Sequence, residues 1–195
     1  GQADRKILAY ISVGEAEDYR GYWCKEWIRS GKSGPTAPAW LGAENPDWKG
    51  NYRVKYWDPE WQALILAAVD DAMACGFDGV YLDIVDGFQT FERVGKDYHD
   101  HRINPETRQS YRRDMVDWVK AIAARAREKN PRALVIPQNG SELLAYADFL
   151  DVISGIGIED LFTNGNKLQS KVHTQEVLRH LSVLADGQKP VLLIE

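Results

Sequence analysis

Short apolar runs rich in β-branched residues alternate along the chain with longer segments in which apolar residues recur every three or four positions. The short runs are typical of strands, and the longer periodic segments are typical of amphipathic helices. The predicted strands are Ile7–Ile11, Ala39–Leu41, Arg53–Trp57, Gly79–Ile84, Leu134–Pro137, Val152–Ile156 and Val191–Ile194. Strands that alternate with helices indicate a parallel sheet with crossover helices.

Capping residues set the bounds of the predicted helices. Asp58-Pro59-Glu60 combines an N-cap, a proline at the first helical position and an early acid, and Gly76 follows the last periodic residue, Cys75. Asn104-Pro105-Glu106 begins a second helix in the same way, and Asn130-Pro131 ends it. Two shorter helices are predicted over Ser141–Ala147 and Thr174–Ala185.

Both a doubly wound sheet and a closed barrel fit this alternation, and two features favour the barrel. No GxGxxG motif follows the first strand, and polar residues finish one strand after another, as at Ser12, Asp83, Asn139, Glu159 and Glu195. Such strand ends converge on the active-site rim of a (β/α)₈ TIM barrel, which typically needs ~250 residues. We therefore predict one α/β domain over residues 1–195 whose last βα unit is missing, the alternative being an open, incomplete barrel.

Two acids are the candidate catalytic pair. Because side chains alternate along a strand, the aliphatic Val80 and Leu82 pack on helices while Tyr81 and Asp83 point into the barrel. The same parity places Glu159 on the inner face if the sixth strand continues that far. Glycoside hydrolysis requires one ionised and one protonated carboxyl on a single rim. The alternative is that the two acids are structural and either cap loops or pair with arginine.

Other residues near strand ends are candidates for sugar binding. Aromatic side chains stack on sugar rings, and polar side chains bind sugar hydroxyls. Three other tryptophans are predicted to pack within loops instead, namely Trp23, Trp27 and Trp48. The predicted binding residues are Tyr10, Ser12, Glu15, Trp40, Tyr56, Tyr81, Asp86, Gln138, Asn139 and Glu195.

Charge and composition narrow the function classes. A net charge of −5 argues against a nucleic-acid partner, and no apolar run approaches the ~20 residues of a membrane span. We predict no cofactor and no metal, with His99-Asp100-His101 in a solvated loop. Two alternatives stay open: a carbohydrate-binding barrel without activity, and a metal-dependent hydrolase that uses Asp83, Asp86 and Glu159.

Four segments resemble one known family, the endo-α-1,4-polygalactosaminidases of glycoside hydrolase family 114. The segments are Ile7–Arg20, Gly76–Asp86, Ile158–Phe162 and Pro190–Glu195, in the order expected of the family's first, fourth, sixth and seventh strands. The resemblance implies a (β/α)₈ barrel distantly similar to α-galactosidases, in which the nucleophile ends strand four and the acid/base ends strand six. It therefore implies Asp83 as nucleophile and Glu159 as acid/base in a retaining cleavage of α-1,4-linked galactosamine polymers, by a secreted enzyme.

Overall fold

The computed structural model describes residues 5–195. Its strands are β1 (Leu8–Ser12), β2 (Glu15–Glu17), β3 (Ile28–Arg29), β4 (Lys32–Ser33), β5 (Leu41–Glu44), β6 (Asn51–Val54), β7 (Gly79–Asp83), β8 (Arg93–Val94), β9 (Asp97–Tyr98), β10 (Leu134–Pro137), β11 (Ile156–Glu159), β12 (Thr163–Asn164), β13 (Lys167–Leu168) and β14 (Val191–Ile194). Its α-helices are α1 (Pro59–Ala74), α2 (Phe88–Glu92), α3 (Tyr111–Lys129), α4 (Ala147–Val152) and α5 (Lys171–Leu181).

Five of these strands run parallel. β7 pairs with β1 on one side and with β10 on the other. A parallel bridge between Gln138 and Gly157 links β10 to β11, and β11 pairs with β14. The register places Ser12 beside Asp83 and Glu159 beside Ile194, so the carboxyl ends of the strands form one rim.

Two of the seven predicted parallel strands are wrong. Segments 39–41 and 53–57 contribute instead to β5 and β6, which form an antiparallel sheet with β2. Only residues 45–50 separate β5 from β6, which is too short for the crossover that parallel strands need. Within residues 5–195, Gly79–Asp83 is therefore the second parallel strand, and the next strand after β10 is Ile156–Glu159 rather than 152–156.

Local capping signals predicted α1 well and α3 only in part. Asp58 caps α1 by accepting a hydrogen bond from the Glu60 amide, and Gly76 follows with φ +86°. The predicted helix start at Asn104 is wrong. The Asn104 side chain accepts a hydrogen bond from the Glu106 amide, as a helix cap does, but Arg108 adopts φ +63° and α3 begins only after Ser110. The Ser141–Ala147 prediction becomes a 3₁₀ helix (Ser141–Ala145), with α4 following it.

The core lies between the parallel strands and the helices that cover them. Val80 and Leu82 of β7 are fully buried, as are Met115, Trp118 and Ile122 of α3. Helix α3 packs on both α1 and α4. No helix within residues 5–195 is long and apolar enough to cross a membrane.

Candidate active site at the rim of the parallel strands

Three parallel strands end in residues with left-handed backbone. Ile84 follows β7 with φ +58°, Asn139 follows β10 with φ +60°, and Asp160 follows β11 with φ +55°. This conformation is unfavourable for residues with a side chain, above all for a β-branched one such as Ile84. Because backbone strain of this kind collects at functional sites, the rim is the candidate site.

An open cleft of about 1080 Å³ lies above this rim. The predicted residues that line it are Tyr10, Glu15, Asp83, Asp86, Gln138, Asn139 and Glu159. A second cleft of about 630 Å³ lies on the side of α5. The two clefts share Asp86, Gln89, Arg93, Asn139 and Glu159, so Glu159 stands at their junction.

Asp83 is held by hydrogen bonds to both of its carboxylate oxygens. The Tyr10 hydroxyl donates to Oδ2 at 2.5 Å, and the Ile84 amide donates to Oδ1 at 2.8 Å. Burial, together with the adjacent Asp83 charge, raises the pKa of Tyr10, so this phenol acts as a proton donor to the carboxylate.

Glu159 has a different environment from Asp83. Its Oε2 accepts a hydrogen bond from Gln138 Nε2 at 2.7 Å, and its amide donates to Asn139 Oδ1 at 3.0 Å. Burial raises its pKa, and the negative charges of Asp160 and Asp83 raise it further, whereas the Gln138 hydrogen bond opposes the shift. The environment therefore favours the protonated form of Glu159.

Tyr81 lies on the inner face of β7 against β11. A Cβ atom added to Gly157 would lie 2.1 Å from the Tyr81 hydroxyl, so only glycine leaves room for this phenol. The hydroxyl is buried and has no hydrogen-bond partner among residues 5–195. Burial and the charges of Asp83 and Glu159 raise the pKa of Tyr81 to about 12.

Two further carboxyls belong to the first cleft. Buried Glu15 accepts hydrogen bonds from Asn45 at 2.8 Å and Asn51 at 3.4 Å, and burial raises its pKa. Asp86 lies in the turn after β7 and lines both clefts. Loss of hydration, with the charges of Asp83 and Glu142, raises the pKa of Asp86 to about 7.

Five predicted binding residues do not line the cleft, namely Ser12, Trp40, Tyr56, Tyr81 and Glu195. Ser12 is buried and donates to the Glu15 carbonyl. Trp40 is 2% exposed and packs between Trp27 and Trp61, while the fully buried Tyr56 donates to a backbone carbonyl of α3. Glu195 accepts hydrogen bonds from the amides of Phe162 and Thr163, so it holds the loop after β11.

Sequence reasoning missed the residues that the antiparallel sheet brings to the cleft. They are Asn45, Trp48, Lys49, Asn51 and Arg53, and the helix α2 region adds Gln89 and Arg93. Asn45-Pro46 and Gly50-Asn51 are turn signals between two strand-like runs, and they would have indicated this hairpin. The prediction that Trp48 packs within a loop is wrong, because its side chain is 69% exposed.

Neither proposed metal cluster forms a ligand set. Across the described residues, no group of three or more His, Cys, Asp or Glu side chains could hold a metal ion. Asp100 of the His99-Asp100-His101 segment pairs with Arg112 instead.

Two acids that line one cleft at the C-terminal rim of a parallel α/β sheet are the arrangement typical of glycoside hydrolases. The model of glycoside-hydrolase family GH114 matches residues 2–195, and the chain belongs to that family. Among solved structures, Aspergillus fumigatus Ega3 in complex with galactosamine is similar, with a TM-score of 0.67 and 20% identity over 98% of this chain and 61% of that chain. The glycoside hydrolase domain of PelA from Pseudomonas aeruginosa has a TM-score of 0.65 and 19% identity, over 97% of this chain and 67% of that chain.

Curated relatives share more sequence with this chain but carry no assigned function. An uncharacterized protein of Deinococcus radiodurans is 41% identical over 98% of this chain and 56% of its own length. An uncharacterized protein of Methanocaldococcus jannaschii is 38% identical over 100% of this chain and 53% of its own length. The chain thus spans about half the length of these relatives.

Proposed function

We propose that the protein is a glycoside hydrolase that cleaves α-1,4-linked galactosamine-type polysaccharide by a retaining mechanism with two carboxyls. The observation that carries the proposal is the contrast between Asp83 and Glu159 on one rim. Asp83 is oriented by two hydrogen-bond donors, while Glu159 has a raised pKa. One oriented carboxylate and one carboxylic acid are the two groups that glycosidases use.

In the first step, Glu159 donates its proton to the glycosidic oxygen as the carbon–oxygen bond breaks. Asp83 attacks the anomeric carbon from the other side and forms a covalent glycosyl ester. The hydrogen bonds from Tyr10 and the Ile84 amide hold the attacking carboxylate in one orientation, which removes part of the entropic cost of the attack.

In the second step, the ionised Glu159 takes a proton from water, and the resulting hydroxide attacks the same carbon. The Asp83 ester bond breaks, the carboxylate is regenerated, and the sugar is released with its original anomeric configuration. Formation of the ester removes the negative charge of Asp83. Because that charge raises the pKa of Glu159, its loss lowers this pKa when Glu159 must act as a base.

The charge of the cleft supports a cationic amino sugar as substrate. Its lining has six acidic residues (Glu15, Glu17, Asp47, Asp83, Asp86 and Glu159) and three basic ones (Lys49, Arg53 and Arg93). The carboxyls that are ionised attract the ammonium group of deacetylated galactosamine. The structurally similar Ega3 was solved with galactosamine bound. A polymer of this kind does not cross a membrane, so we place the activity outside the cytoplasm.

We further propose that the five parallel strands are part of a (β/α)₈ barrel. All four apolar side chains of β14 are exposed, as expected of a strand that further barrel elements would cover. The fold-level similarity to Ega3 and PelA is in keeping with this. A solved structure of one of the longer relatives tests it directly, since an open sheet there would refute a closed barrel.

Leaving-group dependence tests the two catalytic roles. Asp83→Asn keeps the shape of the side chain but cannot form the ester intermediate, so turnover collapses on every galactosaminide, by about 10³-fold or more. Glu159→Gln removes the acid, so the loss is large with sugar leaving groups and small with an activated phenol that leaves without protonation. The comparison uses kcat/KM on both substrate types.

Product configuration tests the retaining step. Proton NMR at early reaction times should show the α anomer first, which then equilibrates in water. Initial release of the β anomer would refute the covalent intermediate. In the leaving-group experiment, an equal loss of kcat/KM for Glu159→Gln on both substrate types would refute the acid role of Glu159. Asp151→Asn, which changes an exposed aspartate outside both clefts, controls for loss of a carboxylate.

A further inference from the structure

One tryptophan differs from all the others in its surroundings. The chain has seven tryptophans, all within residues 5–195. Six are buried in the core or packed against it, namely Trp23, Trp27, Trp40, Trp57, Trp61 and Trp118. Trp48 is 69% exposed and lines the first cleft. The Trp48 indole therefore lacks the stabilisation that burial of apolar surface gives to the other six tryptophans.

The turn that carries Trp48, residues 45–50 between β5 and β6, is fixed by hydrogen bonds. Trp48 itself closes the turn, since its amide donates to the Asn45 carbonyl and its carbonyl accepts from the Asn51 amide. The Asn45 side chain donates to buried Glu15, which ties the turn to the rim. Gly50 has φ +88°, and a Cβ there would lie 2.9 Å from Asp18 Oδ1, so the turn requires glycine.

We infer that Trp48 forms a sugar-binding subsite at a distance along the cleft from the point of cleavage, and that it binds a ring of the same polysaccharide by stacking. In an α-linked galacto-configured ring, the axial O4 lies on one face, and the C3–H, C4–H and C5–H groups form an apolar patch on the opposite face. That patch can stack on the indole. Because the turn is already ordered, stacking costs little conformational entropy. The inference rests on the proposed function for the identity of the polymer.

The subsite predicts a dependence on chain length. In this proposal, a dimer bound at Asp83 and Glu159 does not reach Trp48, whereas longer oligomers that extend along the cleft gain the stacking contact. Trp48→Ala should therefore lower kcat/KM on long oligomers about tenfold, which corresponds to about 1.4 kcal/mol. It should leave the dimer unchanged, and Trp48→Phe should restore most of the loss.

A ladder of α-1,4-linked galactosamine oligomers of defined length, from the dimer upward, is the substrate set. Phe162→Ala is the matched control, because Phe162 is an exposed aromatic residue that lines neither cleft. Equal kcat/KM losses at all lengths for Trp48→Ala, or no loss at any length, would overturn the subsite.

Binding to the same oligomers, measured by calorimetry, separates this inference from the proposed function. If the wild-type protein cleaves none of them but binds long ones more tightly than Trp48→Ala does, the subsite holds and the hydrolase proposal fails. If the wild type cleaves long oligomers faster than short ones and Trp48→Ala does so equally well, the hydrolase holds and the subsite fails.

Discussion

Tyr81 has a buried hydroxyl with no hydrogen-bond partner in the described part of the chain, and the charges of both candidate catalytic carboxyls act on it. A buried polar group without a partner costs stability, so its position calls for a ligand that binds it. We expect Tyr81→Phe to leave the free energy of unfolding unchanged or raise it slightly, while kcat falls about 10- to 100-fold. Urea unfolding and steady-state kinetics on the same preparation measure both.

A loss of stability together with normal kcat would contradict this role for Tyr81. Tyr22 provides the matched control, since its hydroxyl accepts a hydrogen bond from the Glu17 amide. Tyr22→Phe should therefore lose about 1 kcal/mol of stability.

Ionisation of Asp86 makes the stability of the folded protein depend on pH. Its pKa rises from 3.8 to about 7 on folding, so ionisation of Asp86 opposes the folded state. At pH below 3.8 the carboxyl is neutral in both states, and as pH rises towards 7 this contribution to stability is lost. Asp86→Asn should therefore stabilise the protein more at pH 8 than at pH 5, by at most about 3 kcal/mol.

Denaturant unfolding of wild type and variant at the two pH values measures the difference. A stability gain that is the same at pH 5 and pH 8 would show that Asp86 does not titrate in this range.

Among the elements, the β8–β9 hairpin is tied to α3 by a buried ion pair. Glu92 is 0% exposed and accepts two hydrogen bonds from Arg112, at 2.9 and 3.0 Å, and one from Tyr98 at 2.6 Å. This places Arg93 and Gly95 of the hairpin at the cleft. Arg112→Met should cost about 3–5 kcal/mol, because it leaves the Glu92 charge buried without its partner.

The double variant Glu92→Leu/Arg112→Met should recover a large part of that loss, since neither charge remains. Urea unfolding of the two variants at neutral pH provides the comparison. If the double variant is no more stable than Arg112→Met, packing rather than unpaired charge causes the loss.

Elements fixed by neighbours in sequence were predictable, and those fixed by distant partners were not. Helix α1 follows from Asp58 and Gly76, which act within one turn of the helix ends. The helix start predicted at Asn104 was wrong because the side-chain amide of Asn104 donates a hydrogen bond to Asp114, at 2.8 Å, on the helix that follows. Residues 53–57 have a strand-like composition, but composition does not reveal that the strand partner is antiparallel.

In the candidate site too, features set by neighbours in sequence were predictable and those set by distant contacts were not. The alternation of side chains along β7 was enough to predict that Asp83 faces the cleft, since it depends on the strand alone. Whether an aromatic side chain stacks on sugar or packs inside depends on contacts made across the fold. Trp40 meets Trp27 and Trp61 and is buried, whereas the turn of β5 and β6 holds Trp48 in solvent.

At the scale of the whole molecule, the net charge of −5 and the acids of the cleft act on the substrate before it binds. A polymer of free galactosamine is cationic, and its attraction to the protein is screened by salt, with a Debye length of ~10 Å at 0.1 M. Raising the ionic strength from ~0.05 to ~0.5 M should therefore raise KM severalfold and leave kcat unchanged. The fully N-acetylated polymer is neutral, so KM for any cleavage of it should not depend on salt.

Steady-state rates on both polymers across this salt range provide the measurement. A salt response that is equal for the two polymers would show that the acidic cleft does not select the charged amino sugar.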